Sequence, residues 1–319
     1  MKTAIIGLGN MGRIHARVTR ELGCQLVAVC DAVPEKFDLF PECEHYTDYC
    51  EMLDKAHPDV VHVCTPHYLH AEMIIAALER NISVLCEKPL CIHEEEIPRI
   101  LEAEAKSTGK LGVCQQNRYN ASNLFVKDWL SDKKIFSATA NVVWSRGRDY
   151  YSSGEWRGKW ATEGGGVLIN QALHTLDLCQ WLVGMPDTLV GNVANNTHSD
   201  YIEVEDTAAL IYGGEHSFTF FATTSAGADF NTQISISTDK GEVNLYPDYA
   251  LINGEIKHFD KDDRVYGKAC YGSGHSRLIE DFYYSVRDGR DFRLNGREAA
   301  KVVKLILAAY RTNGKEVNI

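Results

Sequence analysis

Short apolar runs alternate with amphipathic stretches through the first third of the chain. The runs Thr3–Ile6, Gln25–Cys30, Val60–Thr65, Ser83–Cys86 and Lys110–Cys114 predict strands. Between them, apolar residues at three- and four-residue spacing predict helices over about Met11–Leu22, Tyr49–Lys55, His70–Arg80 and Glu94–Thr108. Asn81 and Gly109 stand where a helix would end. Alternation of this kind implies a parallel sheet covered by helices on both faces.

The texture changes after about Tyr119. Strands are expected at Ile135–Trp144, Leu189–Asn196, Thr207–Tyr212, Ser217–Thr224, Thr232–Thr238 and Glu242–Tyr246, mostly without helices between them. Ile234 and Ile236 alternate with Gln233, Ser235 and Ser237, the pattern of a sheet with one wet face. Gly-Gly and Asp-Lys-Gly turns between consecutive strands imply antiparallel pairing. Helices are expected at Val167–Val183, His275–Asp288 and Gly296–Arg311. The fold class that follows is α/β: a doubly wound parallel sheet over residues 1–119, then an α+β domain over 120–319 with a large open, mainly antiparallel sheet.

Composition narrows the choice of partner. The net charge is -11, which disfavours nucleic acid. No apolar run approaches a membrane span. Ten cysteines lie scattered with no Cys-x-x-Cys pair, and Cys30, Cys64, Cys86 and Cys114 sit inside apolar runs. The chain opens on a strand rather than a signal peptide. These features lead to the expectation of a reducing cytoplasm. His62, Cys64, His67 and His70 give no closed four-ligand spacing, so no metal is expected, and His67 and His70 are assigned instead to a cofactor pocket.

The segment Gly7-Leu8-Gly9-Asn10-Met11-Gly12 follows a strand and opens a helix, as the dinucleotide fingerprint requires. Gly7 permits the tight turn, Gly9 lets a pyrophosphate approach the backbone, and Gly12 lets helix and strand pack closely. The helix N-terminus, with Asn10 and Met11, offers N–H groups to phosphate. Asp31 ends the second strand, where a carboxylate accepts hydrogen bonds from ribose hydroxyls and repels a 2′-phosphate. Ala32 beside it supplies no guanidinium, so NAD is favoured over NADP.

Further motifs fall at later strand ends: Cys64-Thr65-Pro66-His67, Cys86-Glu87-Lys88-Pro89 and Gln116-Asn117-Arg118-Tyr119. With Trp156-Arg157 and the run from Gly164-Gly165-Gly166 to Asn170-Gln171-Ala172-Leu173-His174-Thr175-Leu176-Asp177, the chain resembles the Gfo/Idh/MocA family throughout its length. That resemblance implies NAD-dependent oxidation or reduction of a sugar, cyclic polyol or sugar derivative, in a homodimer or homotetramer paired through the C-terminal sheet. It also implies a cis peptide before Pro89. Thr65, Pro66, Glu87, Lys88 and Gln116 would border the cofactor, with Arg157 reaching a phosphate or a substrate hydroxyl.

Hydride transfer from a secondary alcohol needs an acceptor for the hydroxyl proton. His174 is the candidate base, and Lys88, bonded to the same oxygen, is the second proton partner. The two are expected to converge beside the reactive face of the coenzyme. Asn170, His174 and Asp177 recur at i, i+4 and i+7, one face of the expected helix. Asn170 replaces the aspartate common in the family; an amide moves no proton but still grips a hydroxyl. Asp177 is a candidate to orient His174. Tyr119, Tyr151, Trp156, Asn170 and Gln171 are assigned to substrate; for the loop that carries Tyr150, Tyr151, Trp156, Arg157 and Trp160, sugar stacking competes with a subunit interface. His275 is better explained by helix-start packing than by a substrate contact. Two rival functions stay open: glycoside cleavage using transiently reduced bound NAD, with Tyr151 or His174 as the extra base, and a dinucleotide-binding sensor without catalysis. The presence of Lys88 and His174 weighs against the sensor.

Overall fold

The computed structural model describes residues 1–259 and 274–319. The chain divides into two compact units. The first holds Met1–Gln116 and the chain from the helix at Gly274 to Ala300; the second holds the chain from Asn117 onward and Lys301–Ile319. Helix Gly274–Asp288 therefore belongs with the first unit, and not with the C-terminal region to which its position in the sequence assigned it.

In the first unit β1 (Lys2–Ile6), α1 (Asn10–Glu21), β2 (Gln25–Cys30), β3 (Glu44–Tyr46), α2 (Tyr49–Ala56), β4 (Val60–Val63), α3 (His70–Glu79), β5 (Ser83–Cys86), α4 (Glu96–Lys106) and β6 (Leu111–Val113) follow one another. The sheet order is β3-β2-β1-β4-β5-β6, and every pairing is parallel. The chain runs outward from β1 to β3, returns, and runs the other way from β4 to β6. The reversal between β1 and β4 is where doubly wound sheets open a crevice for ligand. The strands are buried on both faces; Val60, Val61, Val63, Val84 and Leu85 have no exposed surface.

The second unit begins with α5 (Ala121–Trp129), β7 (Ile135–Val143), α6 (Arg148–Tyr151) and α7 (Leu173–Val183). Strands β8 (Thr188–Ala194), β9 (Thr207–Gly213), β10 (Phe218–Thr223), β11 (Gln233–Thr238), β12 (Gly241–Leu245), β13 (Tyr249–Ile252) and β14 (Glu255–His258) follow. The chain ends with α8 (Gly274–Asp288, in the first unit), α9 (Gly296–Thr312) and β15 (Val317–Asn318). The sheet order is β14-β13-β12-β11-β7-β10-β9-β8-β15. One pair departs from the antiparallel expectation: β7 and β10 lie parallel, which a connection through α7, β8 and β9 makes possible. Helix α7 covers β7 and β10. Alternation then sends Ala208, Leu210 and Tyr212 to the covered face and leaves Ile211 and Phe221 exposed on the other.

Helix α7 starts later than the expected Val167. Gly164 and Gly165 have positive φ, which right-handed helix excludes. A separate turn follows, in which Gly166 and Leu168 donate to the Glu205 carboxylate at 2.8 and 3.0 Å and Val167 to the Glu205 carbonyl at 3.1 Å; Ala172 N then reaches back five residues to the Val167 carbonyl at 2.8 Å, which breaks the helical ladder before α7. At Gly165 a Cβ would lie 1.9 Å from the Tyr310 hydroxyl, so only glycine lets that phenol reach Glu205 Oε1 at 3.1 Å.

Glu205 has no access to water, and burial pushes its carboxyl up to about 7 despite these donors. A carboxyl raised above its unfolded pKa of about 4.3 opposes folding once ionised, so its contribution is fully present only below about pH 4.3 and is lost as pH climbs from there through about 7. Unfolding free energy should therefore fall by up to about 3 kcal/mol between about pH 5 and about pH 8. Denaturant titrations of wild type and Glu205→Gln at both pH values check this. Equal pH dependence in the two proteins would rule the effect out.

Candidate active site

The glycine turn is built as the fingerprint demands. Gly7 has φ +92° at the end of β1, and a Cβ on Gly12 would stand 1.9 Å from the Gly7 carbonyl oxygen. Around Gly9 a Cβ would meet nothing within 4 Å. The turn is thus packed tight on its inner side and open on its outer side, beside the first turn of a 12-residue helix. That shape and those N–H groups fit a pyrophosphate. Asn10 is exposed and accepts from Arg13, while Met11 is half-buried.

Asp31 is buried and fully engaged. Its Oδ2 accepts from Leu8 N at 2.7 Å, its Oδ1 from Val33 N at 2.9 Å, and Lys36 Nζ reaches both oxygens at 3.0 and 2.9 Å. The lysine went unnoticed in the sequence because it lies five residues on, beyond Ala32. A carboxylate offers about four lone-pair sites, so ribose hydroxyls compete with Lys36 for Asp31. Lys36→Ala is expected to tighten NADH binding about two- to fivefold, the scale of a half-exposed ion pair, and to weaken NADPH. Fluorescence titration with both nucleotides reads this; weaker NADH binding would contradict it.

The remaining strand ends are arranged by His70. Its Nδ1 lies 2.7 Å from the Pro89 carbonyl and its Nε2 3.0 Å from the Thr65 carbonyl. Fully buried, it ties the turn after β4 to the turn after β5, so it braces the site instead of lining it. The Lys88–Pro89 peptide is cis, as the resemblance implied, and Lys88 is half-buried. Thr65 and Pro66 are half-buried; His67 and Gln116 are buried. Glu87, expected at the cofactor, instead points into the unit: its Oε1 lies 3.0 Å from His15 Nε2 and 3.7 Å from His275 Nε2. Burial alone would raise its carboxyl, but those two imidazoles, one hydrogen-bonded and the other a close charge partner, hold it well below the usual range.

In the second unit a polar cluster forms around Tyr150, expected from the sequence only as one aromatic of the loop before the glycine triplet. Its hydroxyl receives Arg157 Nη1 at 2.5 Å, Asn170 Nδ2 at 3.1 Å and Gln171 Nε2 at 2.9 Å. Burial pushes this phenol up against the pull of Arg157, so it keeps its proton. Glu163, fully buried, accepts from Asn170 Nδ2 and from Gly158 N. Sequence reasoning missed Glu163: a carboxylate does stand against Asn170, contributed from seven residues upstream. Arg157 stacks on Tyr150 and Trp156, each 4.5 Å from ring centroid to guanidinium, and lies 3.9 Å from Glu163. Gln171 is buried and its Oε1 has no partner among the described residues.

Three expectations need correction. Asn170 precedes α7 instead of sharing a helical face with His174, which sits in the first turn of that helix, half-buried. Tyr151 packs with Ile202 and Val204, its hydroxyl 3.5 Å from Thr224 Oγ1, so it is a core residue and Tyr150 occupies the polar position. Asp177 binds Arg118 through two bonds, 2.7 and 2.6 Å, and Gln180 at 3.1 Å; it anchors the turn after β6 and does not orient His174. Tyr119, at the end of that turn, is buried.

A glycine turn opening on a helix N-terminus, a carboxylate at the end of β2 and a parallel sheet reversing beside them define a dinucleotide-binding unit. Residues 1–115 match the NAD-binding Rossmann domain of the Gfo/Idh/MocA oxidoreductases and residues 134–244 match the C-terminal domain of the same family. The chain belongs to the Gfo/Idh/MocA family. It is 30% identical over 173 residues to the putative oxidoreductase YteT of Bacillus subtilis, covering 50% of this chain and 40% of that protein. It is 27% identical over 195 residues to inositol 2-dehydrogenase of Salmonella typhimurium, covering 57% of this chain and 54% of the relative. The chain thus matches about half the length of these curated relatives. Among solved structures, the WlbA dehydrogenase of Chromobacterium violaceum, in complex with NADH and UDP-GlcNAcA, superposes with a TM-score of 0.88 at 25% identity, covering 100% of this chain and 96% of that one. No helix among the described residues is long and apolar enough to cross a membrane.

Proposed function

We propose that this protein is an NAD(H)-dependent oxidoreductase that moves hydride between a ring carbon of a sugar, cyclic polyol or sugar derivative and the nicotinamide. The observation that carries the reading is the polar cluster of Tyr150, Arg157, Glu163, Asn170 and Gln171, immediately before His174, in a chain whose other unit bears a dinucleotide turn. Amide, phenol and carboxylate groups in one patch suit a ligand with several hydroxyls, and the unpartnered Oε1 of Gln171 is an acceptor for one of them. Relatives named inositol 2-dehydrogenase and D-glucoside 3-dehydrogenase support the same substrate class.

In this reading Gly7, Gly9, Asn10, Met11 and Gly12 hold the pyrophosphate and Asp31 the adenosine ribose. Thr65, Pro66, His67 and Gln116 border the nicotinamide half. Bound NAD supplies the hydride acceptor. His174 accepts the hydroxyl proton as the carbonyl forms, and the Lys88 ammonium donates to the same oxygen, stabilising negative charge as it develops. Asn170 and Gln171 hold neighbouring hydroxyls, with Trp156 as an apolar wall for the ring. Ile211 and Phe221, exposed on the open face of the second sheet, support a homo-oligomer through that face.

The test is NADH formation at neutral pH with inositols, free sugars, glycosides and nucleotide sugars. Stoichiometric NADH with at least one class is expected. Aglycone release without net NADH would favour the redox-assisted lyase, and NADH binding without turnover across the panel would favour a sensor.

A further inference from the structure

The first unit contains a cluster of ligating side chains that the proposed reaction does not use. Across β4, β5 and β6, Val63, Cys86 and Val113 lie in register, so the next residues, Cys64, Glu87 and Cys114, fall in a row on one face of the sheet. Helix α1 lays His15 over that row, and α8 brings His275 to it from a distant part of the sequence. His15 Nε2 lies 3.0 Å from Glu87 Oε1, His275 Nε2 lies 3.7 Å from the same oxygen, and Cys114 Sγ lies 3.9 Å from His15 Nε2. One ligand atom from each of His15, Glu87 and His275 falls within 4.8 Å of the other two. All four residues are buried, His15 and Cys114 completely.

We propose that His15, Glu87, His275 and Cys114 bind a structural divalent ion of the zinc class. Ligands at about 2.0–2.3 Å around one ion span the separations among His15, Glu87 and His275, and Cys114 Sγ stands beside them, 3.9 Å from His15 Nε2. Two imidazoles, a carboxylate and a thiol are the donor set of a borderline-soft metal; magnesium and calcium take oxygen. The charge also balances. With Glu87 bound as carboxylate and the Cys114 thiol proton displaced to solvent, two negative ligands would meet a doubly positive ion and leave the buried site neutral.

The surrounding hydrogen bonds suit this role. His15 Nδ1 lies 2.8 Å from His62 Nδ1, His62 Nε2 lies 2.8 Å from the Tyr283 hydroxyl, and that hydroxyl lies 2.7 Å from Thr19 Oγ1. When His15 Nε2 carries the ion, its Nδ1–H donates to His62, His62 Nε2–H donates to Tyr283, and Tyr283 donates to Thr19. Every group keeps a partner, and His15 is oriented as metal-bound histidines usually are. Such an ion would fasten α1 and α8 to the strand end that precedes Lys88. Four protein donors leave it no open position, so its role is to hold the fold.

The rival arrangement is a proton shared between Glu87 and the two imidazoles. Untagged full-length protein, kept reduced without thiol reagents, separates the two. After chelator treatment it is titrated with Co²⁺ and then Zn²⁺, with cooperative thermal unfolding as the check that each protein is folded. Uptake of about one ion per chain is expected, with visible cobalt bands, a near-ultraviolet thiolate-to-cobalt band and displacement by zinc. Cys114→Ser should remove the near-ultraviolet band, and His275→Gln should weaken uptake at least about tenfold. Folded wild type that takes up no stoichiometric ion would overturn the proposal. So would uptake unchanged by both substitutions. Neither readout depends on turnover of any sugar.

Discussion

Asp177→Ala is expected to destabilise the second unit by about 3–5 kcal/mol, the usual cost of breaking one side of a buried ion pair. Asp177 is 1% exposed and Arg118 4% exposed, and the two meet through parallel bonds of 2.7 and 2.6 Å. Truncation removes both of those bonds from a guanidinium that is 4% exposed, and Gln180 loses its acceptor as well. Asp177→Asn keeps one acceptor oxygen and should lose roughly half as much. Denaturant unfolding of the three proteins decides the matter. A loss under about 1 kcal/mol for the alanine variant would mean that Arg118 finds other partners and that the pair is not an anchor.

The second large effect falls on the chemistry. His174→Ala should lower kcat about 10²- to 10⁴-fold, the range for removal of a positioned general base, while NADH affinity stays within about twofold because the nucleotide turn is untouched. Lys88→Met should lower kcat by about 10²- to 10³-fold, as loss of a donor to a developing oxyanion does. Steady-state rates with whichever substrate turns over, set beside NADH titrations, separate the two parameters. If either variant retained more than a tenth of wild-type kcat, the assignment of that residue would fail. Comparable losses with NADH binding abolished as well would point instead to a damaged cofactor site.

Much of the first unit could be read along the chain because its determinants are local. Five of its six strands and all four helices before Gly109 follow from runs and periods a few residues long, and the glycine turn's geometry is carried by three residues within six positions. β3 escaped notice because Glu44–Tyr46 is only three residues long and has no buried position. In the second unit α5, α6, β13, β14 and β15 were missed as well. β14 is exposed along its whole length and carries no alternation to read.

The misassignments at the site have one common cause. Residues near in sequence were expected to act together, whereas folding gave several of them partners from elsewhere. Asp177, on the face expected for His174, is claimed by Arg118, 59 positions away. Glu87 is turned inward by His15 and His275, and Asp31 is shared with Lys36. Glu205, 37–39 residues further on, takes the N–H groups of the turn at Gly166–Leu168, ahead of α7.

Sequence alone determined the class of fold, the dinucleotide turn and the preference for NAD, because each is written in short-range pattern. Tertiary structure decided which polar groups are spent on holding the protein together and which remain for a ligand. A buried charge must find a partner wherever the fold offers one, and distance along the chain says nothing about where that partner stands.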